Sequence, residues 1–482
     1  MNTEISTFVK DYAKAIKENR ASLFIGSGLS RPAGYVGWKD ILRDCAIELG
    51  LDVDKEEKNL ITLAEYYHIN KRQRTTITQT IKEFFDDSKG RLTTTHRLIS
   101  TLPITSIWTT NYDRLLERAY KAANLPYTVI TDDDSYREIN RNAEIVIHKM
   151  HGDVTNADKC VITRKDYEQF ELDHEVVLAE LKGEMCSNSF LFLGYSFSDT
   201  DIQQHILSRI RLIASDRQPQ KHYCILEKIN RDNYDTEDDY KYARKKQSYH
   251  ISDMQAYGLN VVLVDSYEQI SEILSRISQQ VLLKNVFISG SYDDEYQYAK
   301  RCSDVAFKIA YELIQGDYQI YTGYGQNIGS DIVAGAFRGC CDVEKDVKDF
   351  NDNVHLFPFP YKMPQSEERV KLYHHMRVNM ISNTQIMIVI GGMKIDIKSG
   401  VRVISDGIIE EAKIAQIQGV VIIPLSSTGG AAMTVYDELM KSDLWYVKTE
   451  SFKKLKTENS ADGLWKLIKD IIEQHIARVA KL

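Results

Sequence analysis

The chain has 482 residues, with 61 lysine and arginine side chains against 69 aspartate and glutamate side chains, and a formal net charge of -8. This length exceeds what one hydrophobic core usually serves, so two domains are expected. The acidic balance provides no global attraction to nucleic acid or to anionic membranes, and no apolar run approaches the length of a membrane span.

The amino terminus and the cysteines predict a cytoplasmic protein without a structural metal. The first residues lack the basic segment and apolar stretch of a secretion signal. The seven cysteines are scattered, and none forms the Cys-x-x-Cys pair that is typical of a zinc ribbon. We therefore expect reduced, buried thiols and no bound metal.

The first half of the chain alternates helix-like and strand-like segments. An amphipathic pattern over residues 4–18 predicts a helix, and the apolar run 22–25 that follows it predicts a strand. Further strand-like runs, separated by helical patterns, are 104–108, 145–149, 189–193, 222–226 and 260–264. This alternation is typical of an α/β domain with a parallel, Rossmann-like sheet.

Four short motifs each follow one of these strand-like runs. They are Gly26-Ser27-Gly28-Leu29-Ser30, Thr109-Thr110-Asn111-Tyr112-Asp113, His151-Gly152-Asp153 and Gly194-Tyr195-Ser196. Ligands of open α/β sheets bind outside the carboxyl ends of the strands, where such loops converge. We therefore expect the four motifs to form one site, with an order and spacing that suit a nicotinamide nucleotide.

The residue types in these motifs suit that ligand, although each also has a purely structural explanation. Glycines let a backbone approach a pyrophosphate, but they also serve tight turns. Asn111 and Asp113 alternate along the chain and can face one side together, while an Asx turn or a helix cap would use them equally well. A neutral His151 can accept a proton near neutral pH, whereas a lone histidine often belongs to a core.

Together the four motifs resemble the catalytic core of the sirtuin family. The resemblance implies that His151 is the general base, that Asn111 holds the nicotinamide ribose and a water molecule, and that Asp113 fixes the carboxamide. The cofactor contacts that it implies are Gly26, Ser27, Gly28, Ser30, Thr109, Gly194 and Ser196. Arg31-Pro32-Ala33-Gly34 and Thr110 depart from the sirtuin pattern, and the four-cysteine zinc module of sirtuin deacylases is missing. These departures favour water over an acyl group as the acceptor.

A second α/β domain is predicted after residue 283. Apolar residues recur at helical spacing over 268–283 and then give way to a strand-like run, which predicts domains 1–283 and 284–482. The strand-like runs of the second domain are 286–288, 318–321, 386–390 and 420–423, with helical patterns such as 293–314 and 405–417 between them. A glycine loop follows each run, so a second Rossmann-like parallel sheet is expected.

The glycine loops of the second domain resemble those of the SLOG family, whose members sense nucleotide-derived ligands. The loop Ile390-Gly391-Gly392-Met393-Lys394 departs from the related phosphoribohydrolases after the double glycine, which favours binding over hydrolysis. Arg377 and Lys394 are expected to contact phosphate, and Glu410 a ribose hydroxyl. The predicted signal-binding residues are Gly290, Ser291, Gly323, Arg377, Gly391, Gly392, Lys394 and Glu410.

A sirtuin-like domain followed by a SLOG domain resembles the effector family of the bacterial Thoeris antiphage system. The resemblance implies that a TIR-domain partner makes a cyclic ADP-ribose isomer, which binds the second domain as activator. The first domain would then hydrolyse NAD+ to ADP-ribose and nicotinamide, with NAD depletion and abortive infection. A homo-oligomer, a tetramer or larger, is also implied. Two alternatives stay open, an NAD-dependent protein deacylase and a non-catalytic nucleotide sensor.

Overall fold

A computed structural model of the chain describes residues 3–55, 60–123, 125–138, 140, 143, 145–195, 197, 221–342, 347–360, 366–396 and 399–481. The chain divides into two compact units, residues 1–278 and 279–482. Within the described ranges, no helix is both long enough and apolar enough to cross a membrane.

Seven parallel strands form the sheet of the first unit. They are Ala21–Ile25 (β1), Ser106–Thr109 (β2), Tyr127–Ile130 (β3), Ile145–Lys149 (β4), Ser189–Leu193 (β5), His222–Glu227 (β6) and Leu259–Val264 (β7). Their order in the sheet is β3-β4-β2-β1-β5-β6-β7. The sequence pattern missed only β3 among these, because its residues alternate between buried and half-buried positions and form no continuous apolar run.

Helices cover this sheet, and several bury a single apolar face. The first helix packs Phe8, Tyr12 and Ile16 inward, and the Tyr12 hydroxyl donates a hydrogen bond to the carbonyl oxygen of Ser22 at 2.8 Å. The helices described up to residue 282 are Thr3–Lys17 (α1), Trp38–Ile41 (α2), Arg43–Glu48 (α3), Leu60–Lys71 (α4), Thr75–Phe84 (α5), Thr94–Ile99 (α6), Leu115–Ala122 (α7), Arg164–Asp173 (α8), Glu175–Ser187 (α9), Glu237–Ala256 (α10) and Gln269–Leu282 (α11).

The strand order places a ligand crevice beside β1. The chain leaves β1 for β2 on one side and later returns to β5 on the other side, so the connections diverge from this strand. Such a switch point opens a crevice at the carboxyl ends of the strands. The first and last of the four motifs follow β1 and β5, and the second follows β2, so the fold brings them to this crevice.

The second unit repeats this arrangement with five parallel strands. They are Asn285–Ser291 (β8), Gln319–Thr322 (β9), Val354–Leu356 (β10), Ile386–Gly391 (β11) and Val421–Pro424 (β14), in the order β10-β9-β8-β11-β14. Met393–Ile395 (β12) and Arg402–Ile404 (β13) form a separate antiparallel pair after β11. The predicted fold class, α/β with two parallel sheets, is confirmed. The short strands β10, β12 and β13 carry half-exposed residues and escaped the sequence pattern.

Eight helices are described in the second unit, and the sequence pattern over 405–417 closely predicted one of them, Asp406–Ile417. The helix predicted from residue 293 begins at Ala299, because the Asp293 carboxylate accepts the amide of Glu295 at 3.2 Å and forms a turn. These helices are Ala299–Gln315 (α12), Ile328–Asp342 (α13), Val347–Asn353 (α14), Glu367–Ser382 (α15), Asp406–Ile417 (α16), Gly430–Leu439 (α17), Glu450–Lys454 (α18) and Ala461–Lys481 (α19).

Candidate functional site

The loops after β1 and β5 pack backbone against backbone. The amide of Gly26 donates to the Leu193 carbonyl at 2.8 Å, and that of Gly28 to the Gly194 carbonyl at 2.9 Å. A Cβ atom at Gly26 would lie 2.4 Å from the Gly194 oxygen, and Gly194 itself has a φ of +64°. These amides are therefore engaged within the protein, and the close approach that the glycines permit here joins two loops.

A polar cluster connects the loop after β1 with the segment after β2. The Asn111 side-chain amide donates to the Gly26 carbonyl at 3.1 Å and to the Ser30 hydroxyl at 3.0 Å. The Ser30 hydroxyl in turn donates to an Asp113 carboxylate oxygen at 2.7 Å. Asn111 Oδ1 is buried and has no hydrogen-bond partner among the described residues. The cluster therefore leaves one acceptor ready for a hydroxyl group or a water molecule.

The segment 109–113 alternates its side chains as its sequence predicts. Asn111 and Asp113 both reach Ser30, whereas the Tyr112 hydroxyl donates to the Val161 carbonyl at 2.6 Å. The second Asp113 oxygen accepts the amide of Leu115 at 3.0 Å, so the Asx turn at the start of α7 is also present. The Thr109 hydroxyl accepts the Asn111 amide at 3.0 Å. The alternation that the sequence predicts for this segment is therefore present in the structure.

His151 lies in a largely enclosed position just past β4. It is 4% exposed, and its carbonyl oxygen accepts the Val161 amide at 2.9 Å. The imidazole meets the rings of Tyr167 and Phe170 edge to face, with centroids 5.5 and 6.0 Å away. Because β4 pairs with β2, with Lys149 opposite Thr109, the loops that carry His151 and Asn111 leave neighbouring strands.

Lys149, which the sequence reading did not single out, fastens these two loops together. Its buried ammonium donates to the carbonyl oxygens of Tyr112 at 3.3 Å and Asp113 at 2.5 Å, to Glu117 at 2.9 Å, and to Asp153. Burial alone would lower the pKa of Lys149, but the two carboxylates outweigh it and raise the pKa. A lysine that ends an apolar strand beside a His-Gly-Asp motif is the signal that points to this residue.

The remaining residues that were predicted to contact the cofactor are not all described by the structure. Ser27 and Gly28 are exposed at the tip of the loop after β1. Ser196 lies outside the described residues, so its predicted contact stays a prediction. The first three motifs, together with Gly194, lie at one edge of the sheet.

In the second unit, the predicted glycines form a second cluster beside β8 and β11. The amide of Gly392 donates to the Ser291 carbonyl at 2.8 Å, and that of Gly391 to the Thr428 hydroxyl at 2.8 Å. Gly391 and Gly392 have φ values of +61° and +99°, which side chains rarely adopt. A Cβ atom at Gly290 would lie 2.3 Å from the Ile390 carbonyl oxygen. Glycine at these positions is required by backbone conformation and close packing.

Arg377 and Glu410 meet near this cluster. Arg377 is 12% exposed in its side chain and donates to Glu410 at 2.8 Å, and its Nε lies 3.5 Å from a Glu411 oxygen. The guanidinium lies 5.2 Å from the centre of the Phe359 ring, and the same ring lies 2.8 Å from where a Cβ atom of Gly323 would stand. Gly323 and Arg377 therefore lie against the same ring, and Arg377 also binds Glu410.

Glu411 is a second residue that the sequence did not reveal. The Ser289 hydroxyl donates to this buried carboxyl group at 2.6 Å. Burial raises the pKa of Glu411 to about 7, although Ser289 and Arg377 act in the opposite direction. The sequence analysis selected the neighbouring Glu410. Which of the two glutamates faces the sheet depends on the rotation of α16 about its axis, which the sequence pattern does not show.

Two other cations of the second unit are also paired with carboxylates. Lys394 on β12 contacts Asp406 at the start of α16. Arg402 on β13 binds both oxygens of Asp293, at 2.6 and 2.7 Å. A Cβ atom on Gly407 would lie 2.6 Å from Arg377 Nη2, so Lys394 and Arg377 flank the same helix start. The predicted phosphate-binding cations thus converge on one place.

Comparison with known proteins agrees with this arrangement of two α/β units. Residues 105–252 match the SIR2-like domain family, and residues 269–475 match the Sir2- and TIR-associating SLOG family. The chain is 35% identical to the NAD(+) hydrolase ThsA of Enterococcus faecium, over 94% of this chain and 95% of that protein. It is 34% identical to the NAD(+) hydrolase ThsA of Bacillus cereus (strain MSX-D12), over 98% of both chains. The chain therefore belongs to the ThsA family of NAD(+) hydrolases.

Proposed function

We propose that the first unit hydrolyses the bond between nicotinamide and ribose in NAD+, and that the second unit switches this reaction on when it binds a cyclic ADP-ribose isomer. The observation that supports the hydrolysis is the cluster of Ser30, Asn111 and Asp113, which leaves Asn111 Oδ1 as a buried acceptor. The names of the relatives support the same reaction.

The reaction needs orientation more than acid catalysis, because nicotinamide is already a cationic leaving group. The glycosidic bond breaks, its electron pair stays on the pyridine nitrogen, and neutral nicotinamide departs. Asn111 Oδ1 accepts a hydrogen bond from a ribose hydroxyl or from the attacking water. His151 takes the proton that the water releases as its oxygen bonds to the ribose carbon, and ADP-ribose forms.

The second unit supplies the control in this proposal. A ligand pyrophosphate would compete with Glu410 for Arg377 and with Asp406 for Lys394, since both cations are paired with carboxylates here. We assign the production of the ligand to a TIR-domain partner, in line with the Sir2- and TIR-associating SLOG family. Regulation requires that the ligand prefer one of two states, which a cytoplasmic homo-oligomer, a tetramer or larger, would provide. NAD depletion would then abort phage infection.

The deciding experiment is nicotinamide release from NAD+ by the purified full chain, without any acyl peptide. We expect release to rise when the product of an active TIR-domain protein is added. His151→Ala and Asn111→Ala should lower the turnover number by about 100-fold or more while NAD+ still binds. His250→Ala, on α10 and outside every motif, is the control and should behave as the unchanged protein.

Other outcomes would replace the proposal. Release that occurs only with an acyl-lysine peptide would indicate a deacylase. NAD+ binding without any release, in the presence of the TIR product, would indicate a non-catalytic sensor. Unchanged turnover in both His151→Ala and Asn111→Ala would remove these residues from the reaction.

A further inference from the structure

The face of the first sheet beneath α9 carries a group of ligand-type side chains that no motif includes. His148 lies on β4, and Glu180 and Glu184 lie four residues apart on one face of α9. One ring nitrogen and one oxygen from each carboxylate lie within 4.8 Å of one another. This chemistry is distinct from the polar cluster around Asn111.

The environment of His148 indicates that a ligand binds here. It is 1% exposed, and its ring stacks on Trp108 with the centroids 3.8 Å apart. Both ring nitrogens are buried and lack a hydrogen-bond partner among the described residues. An imidazole always presents polar nitrogens, and proteins seldom bury such atoms without a partner.

Glu180 stands too far from this ring for a hydrogen bond but at a suitable distance for a shared ion. Its oxygen lies 3.9 Å from His148 Nδ1. Zinc binds nitrogen and carboxylate oxygen at about 2.0–2.2 Å, so two ligands of one ion stand up to about 4 Å apart.

The two carboxylates are already oriented by other side chains. One oxygen of Glu184 accepts hydrogen bonds from Ser22 at 3.1 Å, Ser106 at 2.9 Å and Trp108 at 2.9 Å. The Tyr136 hydroxyl donates to Glu180. Ligating carboxylates in metal sites are commonly held by such outer partners. A divalent cation would also offset the repulsion between the two carboxylates.

We propose that His148, Glu180 and Glu184 bind one divalent transition-metal ion, zinc being the best fit, which fastens α9 to β4. One imidazole and two carboxylates suit zinc, and three protein ligands leave a fourth position for water. Glu180 is 38% exposed in its side chain and gives the ion a path from solvent. The ion has a structural role, and no step of NAD+ hydrolysis passes through it.

The test uses the chelator-treated full chain and zinc alone, with calorimetric titration and thermal unfolding as readouts. We expect one tight equivalent of zinc and a higher Tm in its presence. Glu180→Gln should weaken binding by more than about tenfold and abolish the rise in Tm. The control is Glu175→Gln, which changes an exposed glutamate on the same helix and should bind zinc as the unchanged protein does.

Cobalt absorption provides a second readout that does not depend on stability. Cobalt in a site with a histidine ligand should give visible bands in the unchanged chain, and these should be lost in His148→Gln. Absence of tight zinc binding to the unchanged chain would overturn the proposal. Equal zinc affinity in Glu180→Gln and the unchanged chain would also overturn it, because the ion would then lie elsewhere. Neither result bears on nicotinamide release.

Discussion

The two units place glycine loops at the same point of similar sheets but use positive charge in opposite ways. In the first unit, Lys149 is 1% exposed and enclosed by two carbonyls and two carboxylates. In the second, Arg377 and Lys394 flank the start of α16 and are paired with Glu410 and Asp406, which are partly or largely exposed.

The difference indicates that the charge of Lys149 holds the structure of its site together, whereas the charges of Arg377 and Lys394 are accessible to a ligand. An anion cannot reach Lys149 without dismantling the loops of the first unit. An anion can replace an exposed carboxylate beside Arg377 or Lys394, because solvent compensates the carboxylate that is released. The first unit is therefore suited to fixed geometry, and the second to exchange.

The largest effect should come from removing the buried charge. Lys149→Met leaves Glu117 and Asp153 buried without their cation, which should cost about 3–5 kcal/mol of the free energy of unfolding. Nicotinamide release should fall with it, since the loops of Asn111 and His151 lose their common anchor. Chemical unfolding followed by circular dichroism measures the loss.

An exposed ion pair is the matched control for this substitution. Lys159 pairs with Asp132 at 2.7 Å, and its side chain is 59% exposed. Lys159→Met should change the free energy of unfolding by less than about 1 kcal/mol. If the two variants lost equal stability, the contrast between a structural and an exchangeable charge would be wrong.

The sequence predicted the parts of each site that follow directly from a strand. The first three motifs, Gly194, the double glycine and the alternation at Asn111 and Asp113 are local patterns, and the structure places them as such patterns require. Lys149 and Glu411 escaped because their partners come from distant segments. The strand β3 escaped because its burial pattern is too weak for an apolar run.

The second unit should carry a pH dependence that comes from the buried carboxyl group of Glu411. Burial raises the pKa of Glu411 from 4.5 to about 7. Between these pH values the folded chain keeps a proton that the unfolded chain releases, so the free energy of unfolding falls as pH rises. The total change should be about 3 kcal/mol.

Glu411→Gln should remove this slope, because glutamine does not titrate. Unfolding curves at pH values from about 4.5 to 7 compare the variant with the unchanged chain. Glu410→Gln, at the neighbouring position, is the control and should keep the slope. A variant of Glu411 that retained the full pH dependence would show that another group titrates.

The backbone contact between the loops after β1 and β5 predicts a smaller loss in the free energy of unfolding. A Cβ atom on Gly26 would stand 2.4 Å from the Gly194 carbonyl, so Gly26→Ala should cost about 1–3 kcal/mol by overpacking. A Cβ atom on Gly183 of α9 would meet nothing within 4 Å. Gly183→Ala should therefore raise the free energy of unfolding by about 0.5–1 kcal/mol through helix propensity. Urea unfolding should show that the two variants change the free energy of unfolding in opposite directions. Equal losses of stability would mean that the close contact between the loops does not require glycine at residue 26.

The smallest effects should test the exchange of charge in the second unit. Arg377→Gln and Lys394→Gln should each weaken binding of the proposed ligand, a cyclic ADP-ribose isomer, by about tenfold, because one charge-assisted contact is lost. Asp406→Asn should have the opposite effect and tighten binding a few-fold. In this variant Lys394 has no ion pair to break before it binds a phosphate group. Lys413→Gln, exposed on the same helix, is the control for net charge. Calorimetric titration measures all four, and weaker binding in Asp406→Asn would show that this carboxylate positions Lys394 instead of competing for it.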